Sequence, residues 1–170
     1  MRITNLRAYV LSDPCNGKAH WVSHFKVPRA NELLVILDTD EGIEGFGLAT
    51  SYSDISPLVD TLTTGLTDFI INADPLSPER IYNDIFSTTW KRISFERGWS
   101  REALVRLSAA IDIACWDIIG KKANLPLYRL MGGWSHEVPY YVTCAYYQDG
   151  KDLGALRDEM ERLKSQGHTR

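Results

Sequence analysis

Residues 104–133, LVRLSAAIDIACWDIIGKKANLPLYRLMGG, constrain the rest of the chain more than any other stretch. Leu104, Leu107, Ile111, Cys115 and Ile118 recur close to helical spacing, so the run is read as a helix with one strongly apolar face. Ala109, Ala110 and Ala114 add a side of small residues, where a neighbouring element can approach closely. Ser100 suits the N-cap, with Glu102 in the first turn near the positive end of the helix dipole. Lys121 and Lys122 sit in the last turn, where cations suit the negative end. Asn124 and Pro126 then stop the helix, and a short turn, Leu127 to Met131, leads into Gly132-Gly133. A helix this long and apolar must be packed on a larger body.

The run Ala109-Ala110-Ile111-Asp112-Ile113-Ala114-Cys115-Trp116-Asp117, then Gly120-Lys121, Pro126-Leu127 and Leu130-Met131-Gly132-Gly133, resembles the signature of the mandelate racemase and muconate lactonizing enzymes of the enolase superfamily. Met131 and Cys115 are mild departures: the family more often has Leu or Ile at the first, and Ala or Leu at the second. The fold this resemblance implies is α+β: a three-stranded antiparallel sheet, then a helical bundle, then the first βα unit of an incomplete (β/α) barrel. Residues 1–134 would be the enolase-like N-terminal capping domain and residues 135–170 the start of the barrel.

The bulk properties agree with a globular enzyme part. The 170 residues suffice for one good core, and 44% hydrophobic with 24% charged residues is ordinary for a globular chain. A net charge of -3 argues against a nucleic-acid or anionic-membrane surface. No apolar run approaches the ~18 residues of a membrane span, and the N-terminus lacks the pattern of a signal peptide. Cys15, Cys115 and Cys144 are widely spaced, form no zinc pattern and suggest no disulfide framework, so a reducing cytoplasm is the expected location.

In chain order, residues 3–11 read as a strand broken by Asp13-Pro14. Residues 12–30 follow as a long aperiodic loop with His20, Trp21, His24, Phe25 and Lys26, of the length that lids have. Residues 33–38 and 43–48 form a hairpin across Thr39-Asp40-Glu41-Gly42, and Gly45 and Gly47 in its returning strand mark the close approach of a neighbour. A second short loop spans residues 49–54. Helices are predicted over residues 56–71 and 78–92, the second with Ser77 as N-cap and Pro78 as its first residue. Residues 138–145 read as a fresh strand. Residues 152–166 read as an amphipathic helix with Leu153, Leu156, Met160 and Leu163 on one stripe.

The resemblance implies abstraction of the proton α to a carboxylate by a Lys or His base, with Mg²⁺ stabilising the enediolate, the handling known for this superfamily. In the relatives the Lys base lies on the second barrel strand and the three carboxylate ligands on the third to fifth. A complete barrel takes about 200 residues or more, and far fewer follow Val138. The chain is therefore read as a fragment with no catalytic residue and no metal ligand of its own, inactive alone. Mg²⁺ is expected for the full-length enzyme.

Substrate recognition remains. In the relatives two capping-domain loops close over the barrel mouth and exclude water. The matching positions here offer His20, Trp21, His24 and Lys26 in the first loop, and Ser51 and Tyr52 in the second, to grip hydroxyls or a carboxylate. Tyr146 and Tyr147 follow the expected barrel strand at its C-terminal end, where barrel active sites form; one of them is expected to face substrate. The plainer reading of each is a surface or packing residue. His20 and His24 are four apart, a metal-sharing spacing on a helix, but the segment does not read as helix and brings no further ligand. Asp112 and Asp117 fall about 140° apart around the helix, which suits structural roles better than paired acid–base work. Lys121 and Lys122 are read as solvated helix-end charges, and Trp90, Trp99, Trp116 and Trp134 as packing residues.

The favoured reading is the capping part of an acid-sugar dehydratase. A racemase, epimerase or cycloisomerase of the same superfamily shares every residue used, and a non-catalytic binding module is the alternative of another class. The expected partner is a small carboxylate, a hydroxylated or sugar acid, with no nucleic acid and no membrane. A homo-oligomer is expected for the full-length protein.

Overall fold

The structure is a computed structural model and describes residues 1–15, 19–51 and 54–168. Strand β1 (Ile3–Asp13) is followed by two short strands, β2 (His20–Val22) and β3 (Phe25–Val27), and by the longer β4 (Ala30–Thr39) and β5 (Glu44–Ser51). Helix α1 (Ser56–Thr63), a 3-10 turn (Leu66–Phe69), α2 (Pro78–Trp90), α3 (Ile93–Glu96), α4 (Arg101–Ala123) and α5 (Leu127–Leu130) come next. Strand β6 (Tyr147–Gln148) and α6 (Leu153–Ser165) close the order.

The main sheet has the order β1-β4-β5, antiparallel throughout. β4 is central, paired with β1 from Ile3↔Thr39 to Asp13↔Ala30 and with β5 from Asn31↔Ser51 to Asp38↔Glu44. Alternation along β4 decides which face is covered. Leu33, Val35 and Leu37 are buried toward α4, while the opposite face presents Tyr9, Phe46 and Leu48 to solvent.

Helix α4 lies against β5 because Gly45 and Gly47 let the backbones meet. A Cβ at Gly45 would run into the Ala114 carbonyl, and one at Gly47 into the Ala110 carbonyl. The expected close approach is therefore present, made by Ala110 and Ala114; Ala109 is turned out to solvent. The caps predicted for α4 are also in place, whereas Ser77 stands at the N-cap of α2 without a side-chain cap hydrogen bond. The Ser100 hydroxyl accepts from the Ala103 N–H at 3.0 Å. Asn124 ends the helix with φ 53°, in the left-handed region that Asn tolerates. Lys121 and Lys122 are not merely solvated. Lys121 donates to Asp117 at 2.7 Å and to the Glu44 carbonyl at 2.8 Å, and Lys122 pairs with Glu41, so both tie the helix end to the β4–β5 hairpin.

The expectation of one helix over residues 56–71 is corrected. It breaks after Thr63, where the Thr63 and Thr64 hydroxyls bond back to the carbonyls of Val59 and Asp60 and Gly65 takes φ 113°. The strand expected over residues 138–145 is also absent: among the described residues only Tyr147 and Gln148 of this region enter a ladder, and Val138, Tyr140 and Tyr141 are exposed. Its β-branched and aromatic residues give strand propensity, but a strand forms only where a neighbour completes its hydrogen bonds. The tryptophans divide. Trp99 is buried, with its indole N–H donating to Thr64 Oγ1 at 2.7 Å, and Trp116 is half-buried, whereas Trp90 and Trp134 are exposed, contrary to a packing role. Among the described residues no helix is long and apolar enough to cross a membrane.

Candidate substrate-capping site

The stretch read as an aperiodic loop folds, between Ala19 and Arg29, as a hairpin. β2 and β3 pair His20↔Val27, Trp21↔Lys26 and Val22↔Phe25 around a turn at Ser23-His24. The other edge of β2 pairs with β6, His20↔Gln148 and Trp21↔Tyr147, giving a small sheet of order β3-β2-β6. Two segments far apart in sequence are thereby brought together. Val27 of the hairpin is buried.

Between the hairpin and the chain before β6 lies a cleft of about 490 Å³, lined by Trp21, Val22, Ser23, Cys144, Ala145, Tyr146 and Tyr147. The His20 imidazole packs on the Tyr146 ring with centroids 5.0 Å apart and tilted by 54°. Lys26 forms an ion pair with Asp149, and its ammonium lies 5.9 Å from the centre of the Trp21 ring. Lys26, and after it the Trp21 side chain, hold the Asp149 carboxyl below the usual carboxylate range.

The far wall is set from behind. Ala145 has φ 63°, a conformation that costs a non-glycine residue energy and must be held. Its N–H donates to Glu159 Oε1 at 3.2 Å. Lys151 pairs with Glu159 and donates to the Tyr146 carbonyl at 3.0 Å. That pairing keeps the Glu159 carboxyl below its ordinary range, so it stays an acceptor at neutral pH. Helix α6 brings Glu159 there, starting from an Asp152 cap that accepts from the Ala155 N–H at 2.8 Å. The Leu153 and Met160 positions of its apolar stripe are exposed, and Leu156 and Leu163 are half-buried.

The candidate residues thus separate. Trp21, Tyr146 and Tyr147 line the cleft, with Tyr147 largely exposed; His20 backs Tyr146; and Lys26 lies beside Trp21, engaged by Asp149. His24 is exposed in the hairpin turn and stands apart from the lining. Ser51 is buried at the end of β5 and its hydroxyl donates to the Asp54 carbonyl at 3.2 Å, and it is not among the residues lining the cleft. Tyr52 lies outside the described residues. Sequence reading missed Ser23, Asp149, Lys151 and Glu159; of these only Asp149-Gly150 carries a legible signal, that of a turn dipeptide.

Chemically, the cleft offers aromatic walls and hydroxyl groups: it can bind, orient and exclude water. Elsewhere the acids of α4 are structural. Asp117 accepts from the Phe46 N–H at 3.0 Å, while burial raises the Asp112 carboxyl. Burial pushes the Cys115 thiol up to about 12, so it is no nucleophile at neutral pH. Among the described residues no group of three or more His, Cys, Asp or Glu side chains converges, so they do not fit a metal site.

A sheet over a long signature helix, with an aromatic hairpin docked on the segment behind it, defines an enolase-type capping domain. Residues 6–132 match the family model of the mandelate racemase / muconate lactonizing enzyme N-terminal domain, and the chain belongs to that family. It is 32% identical over 123 residues to an arabinonate dehydratase of Saccharolobus solfataricus, covering 72% of this chain and 31% of the relative. It is 30% identical over 142 residues to an N-succinyl-L-Arg/Lys racemase of Bacillus cereus, covering 81% of this chain and 35% of that one. A solved mandelate racemase/muconate lactonizing enzyme superposes with a TM-score of 0.77 at 26% identity, over 96% of this chain and 42% of that chain. The chain thus spans about a third of the length of the curated relatives it matches.

Proposed function

We propose that this chain is the substrate-capping part of an enzyme that removes the proton α to a carboxylate, and that the whole enzyme dehydrates an acid sugar. The observation that carries the reading is the docking of the β2–β3 hairpin on β6, which walls a cleft with Trp21, Tyr146 and Tyr147. The similarity to an arabinonate dehydratase supports the substrate class. Residues 1–134 are proposed as the capping domain and residues 135–170 as the start of the barrel, in which base and ligands would lie on strands this chain does not contain. The chain alone is then expected to be inactive, and magnesium belongs to the whole enzyme, where in this superfamily it stabilises an enediolate.

Dehydration in the whole enzyme begins when a base takes the C2 proton. The electron pair then forms a C2–C3 double bond as hydroxide leaves C3, protonated by a general acid to water. The enol tautomerises to a 2-keto acid. This chain's residues serve that sequence by binding and shielding. The rings of Trp21 and Tyr146 exclude water, and the Ser23, Tyr146 and Tyr147 hydroxyls are proposed to hydrogen-bond substrate hydroxyls. A racemase shares the same first proton transfer, and the similarity to the Bacillus cereus racemase makes it the second reading.

In the whole enzyme, His20→Ala removes the support of Tyr146 and is expected to lower kcat/KM about ten- to a hundredfold. His24→Ala, at the exposed turn, is expected to leave it nearly unchanged. Wild-type kinetics for His20→Ala across a panel of aldonic and aldaric acids would sink the capping reading.

A further inference from the structure

The ladder between β2 and β6 has only two rows, and small isolated ladders are marginal in water. Something further must hold the hairpin on the chain that carries Tyr146. Lys26, Trp21 and Tyr147 occupy one row of the small sheet, β3 to β2 to β6, and side chains paired in a row share a face. Lys26 passes beside the Trp21 ring and pairs with Asp149, just beyond β6. The pair joins residues 123 apart in sequence. We propose that Asp149 is a positioning residue, the latch that fixes the β2–β3 hairpin over the cleft through Lys26 across Trp21.

This deepens the capping reading and rests on it only for its consequence in catalysis; the latch itself is a property of this chain. Asp149 touches no reacting atom in that scheme. It sets where Trp21 sits and thereby the shape of the cleft wall. The charged groups around it are Lys26 from β3, and Lys151, Asp158, Glu159 and Arg162 from the turn and α6 that border the same hollow. Asp149 is paired with Lys26, and Lys151 is engaged by Glu159.

Hydrogen exchange read by mass spectrometry on the full 170-residue chain tests this. Wild type is compared with Asp149→Asn, with Lys26→Met, which keeps an apolar stem against Trp21, and with the double variant. Each single variant is expected to speed exchange of peptides covering residues 20–27 and 147–148 about two- to fivefold, the range for a half-exposed ion pair. The double variant should do no more than either single, and peptides of α4 should not change. Corrected for intrinsic rates, wild-type protection of the hairpin should fall as pH drops through the Asp149 titration, below the usual carboxylate range, and this step should be smaller in Asp149→Asn, which keeps only the titration of Glu159 behind the wall. Unchanged exchange in the single variants, effects that multiply in the double, or an acid step of undiminished size in Asp149→Asn would each overturn the latch. If the latch behaves as described while the whole enzyme acts on no acid sugar, the capping function fails and the latch stands.

Discussion

Gly45 and Gly47 are the residues on which the packing of the main sheet depends. Each lies where a methyl group would enter a carbonyl of α4, the Ala114 oxygen at one and the Ala110 oxygen at the other. Backbone cannot rotate aside as a side chain can, so the sheet and helix would have to separate. Gly47→Ala is expected to destabilise the chain by about 1–3 kcal/mol, the usual cost of overpacking. Urea denaturation checks it; an unchanged midpoint would mean that the sheet–helix spacing is looser than the structure has it. The Arg7 contacts on the outer face are of a different kind. Its guanidinium pairs with Asp38 and Glu44 and holds the Asp38 carboxyl below the usual range. That contribution is full at neutral pH and is lost as pH falls through the lowered Asp38 titration.

Helix α4 is the element that a reader of the sequence recovers nearly whole, because periodicity, cap and stop agree along its 23 residues. Its N-cap gives an element-scale prediction. Ser100→Ala leaves the Ala103 N–H without its acceptor and should cost about 1 kcal/mol, seen as a lower thermal midpoint with the same folded circular dichroism spectrum. No shift in midpoint would show that another group takes over the cap. The β4–β5 hairpin is legible for a similar reason: its turn ends in Gly42, which takes φ 75°. The β2–β3 hairpin is not legible. Strands of three residues are too short to show a period, and Ser23-His24 is not turn chemistry that marks itself. The candidate site suffers most from this. Aromatic and histidine content flags Trp21, His20 and Tyr146, but Asp149 gains its role from a pairing 123 residues away, and Lys151 and Glu159 gain theirs from pairings between the turn after β6, the chain before it and α6. Ser51 and His24, of the right residue types, are carried away from the cleft by burial in one case and by the turn in the other.

At the scale of the whole molecule, every residue of the buried apolar cluster lies at or before Ile118, whereas the far wall of the cleft is made of residues 144–147. The far wall of the cleft and the core are thus built from different parts of the chain, and Trp21 of the near wall stands outside the core cluster, so changes at these positions should alter binding with little effect on folding. The exposed Val138, Tyr141 and Leu153 follow the same division, since they lie in the region proposed to begin the barrel. If this domain serves abstraction of a proton α to a carboxylate, as proposed, proton exchange reads that step directly. The whole enzyme, with magnesium in D₂O, is incubated with a panel of sugar acids while the C2 proton is followed by NMR. The C2 proton signal of one acid is expected to disappear with the appearance of a 2-keto product; a C2 proton that persists in every acid of the panel would overturn the proposed function.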